Sequence, residues 1–285
     1  MKIKIWGCRG SITTAGINTI RYGGNSSCLE VRSADGHIII IDAGSGIRNL
    51  GKALKNDSLS SEIRFLFTHS HWDHLSGFPF FEPAYLDRYR ITLCGGPHAQ
   101  DSIRKYLSRQ MEAPYFPVDF SQLRAKFNFS CEHQKCDGYC PLGGDMQIRA
   151  IPLSHPNGGY GYKFTEHGKI FVYLTDNELG FQHEGGLDRE EYIDLCRGAD
   201  LLLHDAQYTT EEYKHTRGWG HSTYLDATDL AIKAGVKRLG LFHHDPDRTD
   251  DDLDRQADIC KNNIQKIGSQ VECFPCSEGM EVEIL

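Results

Sequence analysis

The segment THSHWDH at residues 68–74 constrains this chain more than any other feature. It packs three histidines and one aspartate into six residues, directly after a strand-like apolar run. Because side chains alternate along an extended segment, His69 and His71 point to the same side, and one metal ion can bind both. Asp73 and His74 lie past a turn and can face a second metal ion. Neutral imidazole and carboxylate groups suit zinc, with manganese or iron as alternatives.

The alternative to a metal site is an exposed polar loop after a strand. Four such side chains next to a buried strand favour metal binding, because buried histidines need partners. The H-x-H-x-D-H pattern also resembles the signature motif of the metallo-β-lactamase superfamily. Three later segments also resemble motifs of the superfamily, in the same order and each at the end of a predicted strand: PLSHP at residues 152–156, LTDN at 174–177 and LFHHDP at 241–246. The resemblance implies one metal ion bound by His69, His71, His155 and Asp176, and another bound by Asp73, His74, Asp176 and His243.

Each of the later residues has an ordinary explanation when it is taken alone. His155 could be a capped loop histidine, and Asp176 could cap a turn or a helix. The resemblance makes Asp176 the carboxylate that bridges both metal ions. His243 and His244 compete for the last ligand position, and the offset to Pro246 favours His243. In that case His244 or Asp245 could orient His243 through an outer contact.

Strand-like and helix-like segments alternate along the chain, with no low-complexity linker and no repeat of fixed period. Strand-like segments lie at residues 3–6, 27–31, 37–41, 63–68, 91–94, 146–152, 160–164, 169–174, 200–203 and 236–242. Helix-like segments lie within residues 44–55, at 100–109 and 189–197, and after Thr223 and Thr249. We expect one α/β domain over residues 1–285, and the resemblance implies the four-layer αβ/βα sandwich of the metallo-β-lactamase fold.

Two further motifs narrow the reaction to hydrolysis of a phosphodiester. LHDAQYT at residues 203–209 follows a strand, and GHST at residues 220–223 opens a helix. Together they resemble the acidic and His-Ser-Thr motifs of the tRNase Z branch, the phosphodiesterases of the superfamily, although Asp205 stands where that branch often has Glu. The resemblance implies that His221 protonates the leaving oxygen and that Asp205 orients it, with Asp73 as a third catalytic residue. The alternative is a plain helix cap beside a solvated His221.

The substrate is less constrained than the reaction, in which a hydroxide bridging the metal ions would attack phosphorus. The formal charge of −8 argues against broad binding of nucleic acid, and we find no long basic, glycine-rich arm of the tRNA-processing enzymes. The insert at residues 129–144 instead holds Cys131, Cys136 and Cys140, which could bind a structural zinc. We predict a small phosphodiester, such as a cyclic nucleotide. The alternatives are a tRNA 3′-endonuclease, a carboxylic-ester or lactone hydrolase, and a non-catalytic binding module.

The remaining expectations concern the setting of the protein. No stretch approaches the roughly 18 apolar residues of a membrane helix, and the N-terminal residues lack the pattern of a signal peptide. We therefore expect a cytoplasmic protein whose ten cysteines are mostly reduced thiols. We also expect a homodimer. Arg9, in a glycine-rich loop, could contact a phosphate, although such loops often form only turns.

Overall fold

A computed structural model describes residues 1–57, 61–129, 139–141 and 144–284, with the backbone alone for residues 96–101 and 139–141. The strands are β1 (Lys2–Gly7), β2 (Cys28–Arg32), β3 (Ile38–Ile41), β4 (Glu62–Leu66), β5 (Arg90–Cys94), β6 (Lys126–Asn128), β7 (Tyr139–Pro141), β8 (Gln147–Pro152), β9 (Tyr160–Glu166), β10 (Lys169–Leu174), β11 (Leu201–Asp205), β12 (Arg238–Phe242), β13 (Glu272–Pro275) and β14 (Glu281–Glu283). The α-helices are α1 (Ile47–Asn56), α2 (Trp72–Leu75), α3 (Gly96–Gln110), α4 (Arg189–Cys196), α5 (Thr210–Thr216), α6 (Tyr224–Ala234) and α7 (Asp250–Ile267). Short 3-10 helices lie at Ile17–Thr19, Phe78–Phe80, Glu82–Tyr85 and Phe120–Gln122.

The strands form two seven-stranded sheets with matching topologies. One has the order β14-β1-β2-β3-β4-β5-β6, and the other has the order β13-β12-β11-β10-β9-β8-β7. In the first sheet, neighbours from β14 to β3 run antiparallel and those from β3 to β6 run parallel. In the second, β7 to β10 are antiparallel and β10 to β13 are parallel. Each sheet therefore has a parallel half, whose carboxyl ends are the usual place for a ligand site.

Strand β3 shows how the sequence builds the layers. Its four residues are all isoleucines, and all are buried. Ile39 and Ile41 pack into the core between the two sheets, whereas Ile38 and Ile40 pack into the core that includes residues of α1. Because successive side chains of a strand point to opposite faces, a strand covered on both faces has a continuous apolar sequence.

Three buried clusters separate four layers of structure. The middle cluster joins the two sheets, with Ile5 and Phe171 among its members. An outer cluster packs α1 and α3 against the first sheet, and a third packs α4, α6 and α7 against the second. The predicted four-layer αβ/βα sandwich is therefore confirmed.

The helix caps follow the predicted chemistry at two positions. Thr223 accepts a hydrogen bond from the Asp226 N–H at the start of α6, and Thr249 forms a reciprocal capping box with Asp252 at the start of α7. Sequence reasoning missed α5, which the capping residue Thr209 begins, together with β13 and β14. None of the helices in the described ranges combines the length and apolar character needed to cross a bilayer.

Two predictions about individual side chains have different outcomes. Arg9 is fully buried, and its guanidinium donates to the carbonyl oxygens of Gly23, Asp245 and Arg248, so the predicted phosphate contact is wrong. The Arg9 side chain instead links the loop that contains Gly23 with the loop at residues 245–248. The predicted zinc site at three cysteines lies outside the described residues, since the structure gives no side chain for Cys131, Cys136 or Cys140. The seven cysteines that it does describe are free and buried.

Candidate metal centre and its acid–base pair

The candidate site residues lie where strands of both sheets end. His69 comes shortly after β4 of the first sheet, and His155 follows β8 of the second. Asp176, Asp205 and His243 lie at the carboxyl ends of the parallel strands β10, β11 and β12. The face-to-face packing of the sheets brings these separate ends together, as the resemblance implied.

The first group consists of His69, His71, His155 and Asp176. Their potential ligand atoms all lie within 4.8 Å of one another. His155 Nε2 lies 3.1 Å from His71 Nδ1. Asp176 Oδ2 lies 3.6 Å from His69 Nε2 and 3.9 Å from His155 Nε2. Three imidazoles and one carboxylate oxygen thus converge on one point.

The second group consists of Asp73, His74, Asp176 and His243, again with ligand atoms within 4.8 Å of one another. Asp176 Oδ1 lies 3.2 Å from Nε2 of both His74 and His243. Asp73 Oδ2 lies 3.3 Å from His74 Nε2 and 3.2 Å from His243 Nε2. Asp176 therefore presents one oxygen to each group, which is the geometry of a bridging carboxylate.

Unpartnered buried nitrogens show that these groups fit metal cations. Nε2 of His69 and Nε2 of His74 are both buried without a hydrogen-bond partner. Leaving such a group unpaired costs about 1–3 kcal/mol, and coordination to a cation would remove that cost. Histidine and carboxylate donors of this kind suit a catalytic divalent metal but do not identify it.

The pKa values of the histidines agree with this fit. Burial holds the pKa of His69 well below its usual value and lowers that of His155 to about 4, so both rings are neutral, the form that binds a metal. Burial also opposes a proton on His74, but Asp73 and Asp176 outweigh it and raise the pKa of that ring. A cation held by the same carboxylates would take the place of that proton.

Two candidate ligands, and Asp42 beside the candidate ligand His74, have left-handed backbone conformations. The φ angles of Asp42, Asp176 and His243 are 61°, 49° and 58°, and each residue follows a strand. This conformation costs a non-glycine residue on the order of 1–3 kcal/mol and tends to occur at functional sites. The surrounding packing therefore holds these side chains in directions that a relaxed backbone would not give.

Sequence reasoning missed three groups that orient the histidines. Asp42 Oδ2 lies 2.7 Å from His74 Nδ1. The Gln207 side-chain oxygen lies 2.9 Å from Nδ1 of His243, and a backbone carbonyl oxygen lies 3.0 Å from Nδ1 of His155. Each acceptor places the proton on Nδ1 and leaves Nε2 for the metal. Only Asp42 left a signal in the sequence, as an acidic residue directly after an apolar strand.

The two adjacent histidines at the end of β12 have separate environments. His243 belongs to the second group, whereas Nε2 of His244 donates to the carbonyl oxygen of Cys276, 2.9 Å away. Burial lowers the pKa of His244 to about 3, so this ring is neutral. The structure thus brings His243, and not His244, into the second group of candidate ligands.

His221 and Asp205 form an ion pair beside the two groups. His221 Nδ1 lies 2.7 Å from Asp205 Oδ2, while Asp205 Oδ1 accepts from the Ser222 and Gln207 N–H groups at 3.0 and 3.2 Å. Burial alone would lower the pKa of His221, but Asp205 and then Asp176 raise it to about 9. His221 is 8% exposed, so it is not the solvated histidine of the alternative explanation.

A cavity of about 450 Å³ opens over these residues. Its lining consists of Ser11, Ser70, His71, Trp72, Asp73, Asp176, His221 and His243. The cavity thus exposes one face of the candidate centre together with the acid–base pair. It also includes Trp72, which is 86% exposed although it stands between two candidate ligands.

The chain matches the family model described as the beta-lactamase superfamily domain over residues 37–244. It belongs to this superfamily. A Ribonuclease Z from Haloarcula marismortui is 25% identical over 289 residues, covering 85% of this chain and 86% of that one. The human tRNase Z short form has a TM-score of 0.63 at 19% identity, with all of both chains covered. A diphosphatase of the PhnP family has a TM-score of 0.67 at 17% identity, covering 100% of this chain and 98% of that one.

These two structural likenesses concern the fold, whereas the superfamily match covers the segment that contains every candidate site residue. The prediction of the superfamily, with its tRNase Z-like branch, is confirmed. So is the prediction of a metal-dependent hydrolase.

Proposed function

We propose that this chain hydrolyses phosphodiester bonds of nucleotides with two divalent cations. The observation that carries the proposal is the position of Asp176, whose two oxygens face two separate histidine-containing groups. Seven residues would hold the cations: His69, His71, Asp73, His74, His155, Asp176 and His243. When bound, two such cations lower the pKa of a water molecule and neutralise charge that develops on a phosphate.

His221 supplies the proton that the leaving oxygen needs. The bond from Nδ1 to Asp205 keeps a proton on Nδ1 and leaves Nε2 as the atom that can deliver the other proton. The raised pKa of His221 favours the protonated ring. Asp205 itself is fixed by two backbone N–H groups, so it orients the ring without taking part in the transfer. Bound cations would lower the pKa of His221 toward neutrality, where an acid transfers protons best.

Asp73 completes the second group. Its Oδ2 accepts a hydrogen bond from the Ser11 N–H at 2.8 Å, which fixes the carboxylate beside His74 and His243. A carboxylate at this place adds negative charge opposite Asp176, so the group can balance a divalent cation. Asp73 is therefore proposed as a metal ligand on which turnover depends, and not as a proton donor.

Two observations support a nucleotide ester as the substrate. Trp72 offers an exposed aromatic face at the cavity, and nucleobases stack on such faces. The formal charge of −8 makes the surface a poor match for a long polyanion, whereas a small ester needs only the charge of the metal centre.

A tRNA 3′-endonuclease is the second candidate. It is supported by the similarity to Ribonuclease Z chains, which extends over most of both lengths. The sequence offers no long basic, glycine-rich arm for this activity. We therefore place it second, as a reaction that the same catalytic groups could perform.

One comparison of substrates tests the proposal. The protein, loaded with zinc or manganese, is assayed on bis-p-nitrophenyl phosphate, on 3′,5′- and 2′,3′-cyclic AMP, and on precursor tRNA with a 3′ trailer. Protein stripped by a chelator and the Asp176→Asn variant serve as controls. Turnover of a nucleotide ester that both controls lack is the expected result. Cleavage of precursor tRNA alone would favour the second candidate, and turnover of none of the phosphodiesters would refute the proposal.

A further inference from the structure

Glu178 has a fully buried side chain that accepts four hydrogen bonds. Its Oε1 accepts from the Tyr213 hydroxyl at 2.6 Å and from the Gly218 N–H at 2.7 Å. Its Oε2 accepts from the Gly220 N–H at 2.7 Å and from His183 Nε2 at 2.9 Å. Three of the four donors belong to residues 213–220, and the fourth, His183, lies five residues after Glu178. A buried carboxylate is costly unless it is satisfied in this way.

Two of these donors belong to the loop that carries His221. Gly218 and Gly220 lie between α5 and α6, with φ angles of 88° and 95° that favour glycine. A Cβ on Gly220 would also lie 2.1 Å from Nδ1 of His155, so no other residue fits there. Because the two glycines have no side chains, their backbone contacts with Glu178 hold this part of the loop, beside the bond from the His221 ring to Asp205.

Gly220 connects Glu178 with His155 of the first group and with His221 of the acid–base pair. Its N–H donates to Glu178, its carbonyl oxygen accepts from His155 Nδ1 at 3.0 Å, and the next residue is His221. A shift of this one peptide segment would turn the His155 ring and move His221 together. Both effects start from a carboxylate that does not touch the metal ligands' binding atoms.

We propose that Glu178 is a positioning residue that holds the loop at residues 218–221, and through it His155 and His221, in the working geometry. This inference rests on the proposed metal centre. The role depends on the two acceptor oxygens of a carboxylate, because each oxygen faces one glycine N–H. Orientation of a ligand by such outer contacts affects metal affinity and activity.

Glu178→Gln is the decisive substitution, because it keeps the shape of the side chain and replaces one oxygen by an NH₂ group. The Tyr213 hydroxyl and the His183 ring can turn or change tautomer to face that group. A backbone N–H cannot, so in either orientation the amide meets the N–H of Gly218 or of Gly220 as donor against donor. The loop must then move.

Two readouts follow from that movement. In a competition with a chromophoric zinc chelator, without substrate, one of the two metal-binding steps should weaken about 10-fold, since only the first group contains His155. On a cyclic nucleotide, whose leaving alkoxide needs a proton, kcat should fall by about 10–100-fold, with KM little changed because the loop positions the reacting groups. The metal measurement does not depend on activity, so it separates this inference from the proposed function.

Three further variants control the experiment. Glu211→Gln removes an exposed carboxylate from neighbouring α5 and should match the wild type in both readouts. Tyr213→Phe removes a donor but keeps both glycine contacts, so its effect should be smaller than that of Glu178→Gln. Glu178→Asp keeps the carboxylate at a shorter reach, so its metal affinity and kcat should lie between those of wild type and Glu178→Gln. This variant also tests the proposal if Glu178→Gln does not fold. Wild-type metal affinity and kcat in the Glu178 variants, or equal weakening of both binding steps, would overturn the proposal.

Discussion

His221 Nδ1 lies 2.7 Å from Asp205 Oδ2, in a pair that is buried yet opens onto the cavity of the metal centre. If His221 is the proposed proton donor, the pair matters mainly for leaving groups that need a proton. His221→Ala should therefore lower kcat on a cyclic nucleotide, which expels an alkoxide, by about 10²–10⁴-fold. Hydrolysis of bis-p-nitrophenyl phosphate should fall much less, because nitrophenolate leaves without protonation.

His215→Ala, at an exposed histidine of α5, is the matched control for that measurement. Both substrates should retain wild-type rates in this variant. An equal loss on both substrates in His221→Ala would instead indicate that the ring binds the phosphate or supports a metal ligand. Comparing kcat for the two leaving groups therefore decides whether His221 is the acid.

Asp73→Ala should abolish turnover and lower the bound metal toward half. The reason is that Asp73 contributes to the second group alone, with Oδ2 close to both of its histidines, whereas the first group keeps all its members. Elemental analysis of the purified protein, together with an assay on bis-p-nitrophenyl phosphate, checks both parts. Asp247→Ala, at an exposed position, should change neither. An unchanged rate in Asp73→Ala would contradict the assignment.

The sequence indicated the residues of the candidate metal centre because each of them follows a predicted strand. The segment at residues 68–74 can be recognised by its density of histidine and aspartate alone. His155, Asp176 and His243 then follow in the order typical of the superfamily. The structure places all of these side chains within two groups. Their roles as ligands, the single-domain division, the homodimer and the cytoplasmic location stay predictions.

Residues that act through the fold left little or no signal in the sequence. Gln207 lies 36 residues before His243, and the pairing of β11 with β12 within the second sheet brings the two side chains together. Glu178 lies 42 residues before Gly220, through which we propose that it positions His155 and His221. Arg9 shows the opposite error, because a basic residue in a glycine-rich loop gives no indication of which way it points. The missed strand β14 pairs with β1 from the other end of the chain, which local periodicity cannot reveal.

Trp72→Ala should separate substrates that have a nucleobase from those that lack one. Thymidine 5′-p-nitrophenyl phosphate and methyl p-nitrophenyl phosphate share a leaving group, so the chemical step is matched. Loss of a stacking face should raise KM for the thymidine ester about 10-fold, and Trp72→Phe should restore most of the affinity. The methyl ester should be unaffected. Equal losses on both esters would mean that Trp72 acts by positioning its neighbours His71 and Asp73 instead.

Asp200 provides a test of stability away from the metal centre. Burial raises the pKa of this carboxyl, but hydrogen bonds from Lys237 and from the Ile170 N–H outweigh burial and lower it below its usual value. A lowered pKa means that the ionised form stabilises the fold above the unfolded pKa, about 3.9, and that this stability is lost as pH falls through the folded pKa. Asp200→Asn should therefore lower the free energy of unfolding at pH 7 by about 1–2 kcal/mol.

The difference between wild type and Asp200→Asn should shrink as pH falls below about 4, because the wild-type carboxyl takes up a proton first in the unfolded state and then, at its lower pKa, in the folded state. Urea unfolding of the metal-free proteins at pH 7, and at the lowest pH where the wild type stays folded, measures it. Protonation of the histidines affects both proteins alike and cancels in the difference. Asp194→Asn, which breaks an exposed ion pair with Arg197, should cost less at either pH because solvent screens that pair. A difference that does not change with pH would show that Asp200 stabilises the fold through packing and not through its charge.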